Sequence, residues 1–239
     1  MRAAAGIENR VSRTVTGDPF GVVDPLVLSK RPNSMVYDDA AALAPVSTAA
    51  LANATSVSFT ALKSTRGLTP VIQARYIARM LMLHLKAGIV RTYVYQLADS
   101  GTDDGAQMGL LTADGAEKPA WRQLSALMNE LDDPAGEGEA KPLDLALEGE
   151  LANVESVLFA KRDGTYRLVL WIETQSADPR TGRGLDIPTQ AVTLTLPRGY
   201  HTQRVITFED SGAARVRAVP DATPRLSIGD NLSIVEIAR

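Results

Sequence analysis

Three acidic side chains crowd the stretch "YQLADSGTDDG": Asp99, Asp103 and Asp104, with Gln96 just before them and Tyr93 and Tyr95 upstream. Carboxylates and an amide can accept from hydroxyl groups or hold a cation, and a tyrosine ring can carry a flat ligand. The spacing D-x-x-x-D-D-G does not match a calcium-binding loop of the EF-hand type, so an ordinary solvated acidic loop is the competing reading. Asp99, nearest the preceding apolar run, is the acid best placed for contact with a ligand. Tyr93 and Tyr95 share a parity and face one layer if the run is a strand; a strand aromatic under helices commonly serves as core.

The surrounding pattern says what must position these groups. "TPVIQARYIARMLMLHLKAG" reads as a helix, with Thr69 as N-cap, Pro70 at the first helical position and Gly88 just past the last turn. Ile72, Tyr76, Met80 and Leu83 lie on one face of it, joined by Ile77 and Leu81. "IVRTYVYQL" is apolar on both parities, as suits a strand covered on both sides. Arg91 within it calls for an ion-pair partner. In "KPAWRQLSALMNEL", Trp121, Leu124, Leu127, Met128 and Leu131 repeat at helical spacing. With the short alternating "SVSFT" ahead of them, the order is strand, helix, strand, loop, helix, the rhythm of a parallel sheet with helices outside. Residues 1–54 are broken by Pro, Gly and Asp and receive no assignment.

After the Pro/Gly/acid-rich stretch 133–142 the texture changes. "SVLFAKRDGTYRLVLWIET" places two strands around Asp163-Gly164, a strong hairpin signal. Five more short strands follow without a helical stretch, which predicts an antiparallel β-sandwich over residues 143–239. Trp121 and Trp171 sit on amphipathic elements and read as core. Thr193 and Thr195 form a polar strand face that either binds a flat ligand or simply meets water.

Composition narrows the function classes. Twenty-five basic and 28 acidic residues leave a net charge of −3, so no footprint for nucleic acid or an anionic membrane is present. The absence of cysteine excludes thiolate metal sites. The two histidines, His84 and His201, fall in different predicted elements, and His84 suits the C-terminal dipole of its helix. No apolar stretch has the length of a signal peptide core or a membrane span, which predicts a cytoplasmic chain as written.

"QARYIARMLMLHLKAGIVRTYVYQLADSGTDDGAQMGLLTADGAEKPAWRQLSAL" resembles the last strand–helix–strand–helix of a clan A glycoside hydrolase, a retaining (β/α)8 glycosidase of the family 39-like or family 5-like kind. "LFAKRDGTYRLVLWIE" and "LSIVEIA" are similar to the sandwich beside the barrel in such enzymes, and together the likeness spans residues 55–239. It implies a partial TIM barrel over 55–132 followed by the sandwich, no cofactor and no metal, and an oligosaccharide as ligand. Tyr95, Gln96 and Asp99 would then lie on the rim of the sugar cleft, with Tyr93 and Tyr95 as stacking platforms.

The resemblance also implies what is missing. A full barrel takes roughly 250 residues, but only residues 1–54 precede the matched part. Retaining hydrolysis needs two carboxylates about 5–5.5 Å apart. Ala61 stands where the nucleophilic Glu belongs, Lys63 cannot replace it, and "IENR" (7–10) does not reproduce the acid/base motif. The expectation is a truncated or degenerate glycosidase-like protein, without catalytic residues in this chain and with a carbohydrate-binding rim. The alternatives are an interaction module whose barrel edges pair with a partner chain or a second copy, a fragment of an active enzyme whose carboxylates lie upstream, and a hydrolase working through Glu8 or Asp99.

Overall fold

The computed structural model describes residues 14–16, 68–87, 89, 92–94, 96–101, 107–133, 141–178 and 181–239. The expected strand at 56–60 and the positions Glu8, Ala61, Lys63, Arg91, Tyr95, Asp103 and Asp104 lie outside them.

The first predicted helix forms as α1 (Pro70–Lys86), and Thr69 caps it by accepting from the Ile72 amide at 3.4 Å. Its buried face differs from the predicted stripe. Ala74, Ile77, Ala78 and Met82 carry the main contact, while Met80, Leu81 and Leu83 are half-buried at its border. The second helix, α2 (Pro119–Leu131), starts on a proline and buries Ala120, Leu124, Leu127 and Leu131.

Among the described residues nine strands complete the fold: β1 (Thr14–Thr16), β2 (Ala146–Gly149), β3 (Val154–Ala160), β4 (Tyr166–Ile172), β5 (Gln190–Thr195), β6 (His201–Phe208), β7 (Ala214–Asp221), β8 (Arg225–Ile228) and β9 (Ser233–Ala238). Six make one sheet in the order β1-β3-β4-β9-β6-β7, and three make another in the order β2-β5-β8. All pairings are antiparallel except β1 with β3. The sandwich is therefore as predicted, with one addition: residues 14–16, from the unassigned N-terminal stretch, supply an edge strand. The β3–β4 hairpin turns through Asp163-Gly164, with Gly164 at φ +83° and the Lys161 amide bonded to Thr165 O at 2.9 Å.

Side-chain parity builds three layers. On the large sheet Leu158, Leu168, Leu170, Val235 and Ile237 face Leu147, Val192, Leu194 and Leu226 of the small one. The opposite parity, with Val157, Phe159, Val169, Trp171, Ile206 and Ile234, packs against α1 and α2. The parallel barrel sheet expected under the helices is not shown among the described residues. Among the described residues the run 89–97 forms no strand ladder, and Tyr93 and Leu97 are exposed. The helices find their apolar partner in the outer face of the sandwich, so the sequence change at 133–142 is crossed by one continuous core.

A polar seam fixes that docking. Arg75 on α1 donates to both carboxylate oxygens of Asp230, at 3.1 and 3.2 Å, and to Asp210 at 3.0 Å. Gln123 on α2 bonds Asn231 at 2.6 Å. At the far end of the sheet Glu130 and Glu236 bridge Arg167 and Arg204. The β6–β7 turn approaches α2 so closely that a Cβ on Gly212 would lie 2.1 Å from Pro119 O. Among the described residues no helix is long and apolar enough to cross a membrane.

Gly212 and Gly164 separate close approach from backbone conformation. Both have positive φ, +79° and +83°, but a Cβ on Gly164 meets nothing. Gly164→Ala should cost about 1 kcal/mol, whereas Gly212→Ala should cost about 2–4 kcal/mol, because α2 must shift. Urea unfolding of the two variants measures the difference.

Candidate functional site

The predicted rim follows α1. The Ile89 amide donates to His84 O at 2.9 Å as the helix ends, and His84 Nδ1 lies 2.9 Å from Thr92 Oγ1. Burial lowers the pKa of His84 below the usual histidine value, so it is a neutral partner of Thr92 at pH 7.

Residues 96–99 form a ledge against 107–111. The Leu110 amide donates to Gln96 O at 3.1 Å, Leu111 to Leu97 O at 2.8 Å, and Asp99 to Leu111 O at 3.0 Å. Two buried side chains hold it. Gln73, on the inner face of α1, donates to the carbonyls of Gln107, Met108 and Gly109 at 3.3, 3.0 and 3.1 Å. Lys118, at the N-terminus of α2, places its ammonium 2.7 and 2.6 Å from the two carboxylate oxygens of Asp99 and 3.1 Å from Gln107 O. The Gly109 amide adds a bond to Asp99 at 2.8 Å. A Cβ on Gly109 would lie 2.3 Å from the Asp99 nitrogen, so only glycine allows this approach.

Asp99 is thus an acceptor already engaged by an ammonium and an amide. Gln96 is half-buried on the ledge, with Tyr93 and Leu97, both 38 % exposed, on the opposite parity. On the sandwich, Thr193 is half-buried between neighbours Glu148 and Arg225, and Thr195 is exposed. Lys118 and Gln73 were not singled out in the sequence. Gln73 had a signal: an amide within the apolar stripe of α1 needs hydrogen-bond partners. Lys118 had none, because its partner lies nineteen residues away across a loop.

A second titratable group lies between α1 and β4. The indole Nε1 of the fully buried Trp171 donates to Glu173 at 2.8 Å. Burial pushes Glu173 above the usual carboxylate range, opposed by the Arg79 cation and the Trp171 bond and reinforced by Glu155. Among the described residues no group of three or more His, Cys, Asp or Glu side chains is arranged to hold a metal ion.

No family model matches the chain, and no curated protein does. Among solved structures, a family 39 glycoside hydrolase from the gut symbiont Bacteroides cellulosilyticus WH2 is similar over 72 % of this chain, with 15 % identity and a TM-score of 0.44. The chain spans 31 % of that structure's length.

Removing one partner of the Asp99–Lys118 pair strands a charge, so Asp99→Asn should lower stability by about 3–5 kcal/mol. The double variant Asp99→Asn/Lys118→Met should recover part of it, and hydrogen exchange at the Gly109 and Leu111 amides should quicken in the single variant. For Glu173, whose folded pKa is raised, the folded state binds the extra proton between the ordinary glutamate value and the raised one. Stability therefore falls as pH rises through that window, and the cost is fully present above it. Glu173→Gln keeps an acceptor for the indole, so it should melt higher than the parent above the window and lose that pH dependence in a calorimetric series.

Proposed function

We propose that this chain is a glycoside-hydrolase-like protein whose ledge at residues 93–99 binds a carbohydrate without performing glycosidic chemistry there. One observation carries the reading: both carboxylate oxygens of Asp99 are occupied by Lys118 and Gly109. A carboxylate so held is tied to the protein on both oxygens, and its service is to keep the ledge rigid. Ahead of residues 96–99 the exposed Tyr93 ring offers a face to a pyranose; Gln96, on the opposite parity, offers an amide able to donate and accept at hydroxyls from the other side of the segment. Rigid presentation matters because sugar contacts are individually weak and ordering a loop on binding would offset them. The resemblance of "MGLLTADGAEKPAW" and the strands after it to the end of a glycosidase barrel and its sandwich supports the ligand class. Tyr95 belongs to the same reading through its parity with Tyr93.

A calorimetric melt with and without a panel of β-linked oligosaccharides tests this. A sugar that binds the folded state should raise the melting temperature of the parent, and Tyr93→Ala, which removes an exposed ring, should abolish that rise while leaving the unliganded melt nearly unchanged. Indifference to every sugar would move the function to contact with a partner chain or a second copy. Hydrolysis of an aryl β-glycoside by the purified chain would overturn the non-catalytic part.

A further inference from the structure

Arg79 sits on the inner side of α1 and is 1 % exposed. One guanidinium nitrogen, Nη1, donates to Ile172 O at 3.0 Å. The other two, Nε and Nη2, are buried and have no hydrogen-bond partner among the described residues. These two nitrogens form the side-on fork of a guanidinium, the pair of parallel N–H groups that matches the two oxygens of one carboxylate. The ring of Tyr76 walls the group, with the guanidinium carbon 4.9 Å from its centroid. The Tyr76 hydroxyl in turn accepts from the Ser176 amide at 2.8 Å, and the Ser176 hydroxyl is also buried without a partner. Glu173 is the nearby acid, but its hydrogen bond goes to the Trp171 indole, so the fork stays unfilled.

A buried cation with two unmade charge-assisted hydrogen bonds costs several kcal/mol unless something supplies the acceptor. We propose that the side-on fork of Arg79 is a binding site for a small monocarboxylate, covered by residues 172–176. A planar group with two oxygens and one negative charge satisfies both N–H groups and neutralises the cation. A tetrahedral dianion would bring surplus negative charge beside Glu173. Entry requires residues 173–178 to lift from α1, where they are held by the Tyr76–Ser176 bond and by packing of Ala177 on Ile72 and Tyr76. This segment opens a long connection between β4 and β5 with no regular strand or helix among its described residues, the kind of loop that commonly covers a site.

The test replaces sodium chloride by sodium formate at constant ionic strength and pH 7 and follows the melting temperature. The parent should show a saturable rise of about 2–4 °C. Arg79→Lys keeps the charge but loses the fork, and should show none. Glu173→Gln removes the competing negative charge and should lower the half-saturating formate concentration about fivefold. A parent indifferent to formate, or an Arg79→Lys response equal to the parent's, overturns the site. Should Arg79→Lys not fold, an unchanged half-saturation in Glu173→Gln overturns it equally.

Discussion

The central strands of the large sheet, β4 and β9, are buried on both faces, and the rest of the molecule is arranged around that constraint. Val157, Phe159, Val169, Trp171, Ile206 and Ile234 would face water if the helices were absent. Burying each such side chain fully is worth about 1.5–3 kcal/mol, so the helices are not an appendage to the sandwich but the cover it requires. α1 and α2 supply the complementary surface from Ala74, Ile77, Ala78, Met82, Leu124, Leu127 and Leu131. Small residues, Ala74 and Ala78 in this set and Ala120 beside it, let the backbones approach while the larger ones interdigitate.

Apolar contact alone tolerates sliding, and the polar seam removes that freedom. Arg75 grips Asp230 and Asp210 at one end of the sheet, Gln123 meets Asn231, and Arg167, Arg204, Glu130 and Glu236 form a connected charge cluster at the other end. Such partly buried charges add little net stability, since their desolvation offsets most of the attraction. Their consequence is register. A slipped helix would leave these groups unpaired, and the near-contact between Gly212 and Pro119 leaves no space for an alternative seat.

The ledge inherits its geometry from the docked helices. Gln73 comes from α1 and Lys118 from the start of α2, and both point into the loop that α1 and α2 enclose. The acid that looks most exposed to ligand in the sequence is therefore the one most firmly engaged by protein. The exposed groups on the same segment, Tyr93 and Leu97, are not strand core, because among the described residues no sheet covers them. Arg79 and Glu173 come together by the same docking: one belongs to α1, the other to the chain leaving β4.

Local signals determined the elements. Thr69-Pro70 and Pro119 start helices because their preferred dihedrals and the missing proline N–H suit a first turn, and Asp163-Gly164 closes a hairpin because glycine adopts positive φ without strain. Period-two alternation marked the sandwich, and it holds because side chains on a strand alternate faces whatever lies beyond them. The partner of each face was decided only in three dimensions. "YRLVLWI" is buried at every position, and this unbroken run announces cover on both sides without saying that α1 and α2 provide it. The edge strand Thr14–Thr16 pairs with Leu158–Ala160 across most of the chain, a contact with no local signature. Lys118 with Asp99, and Arg79 with the end of β4, are likewise pairings of groups distant in sequence. An isolated charge in a sequence declares a need for a partner, and only the packing of the helices on the sheet selects which one.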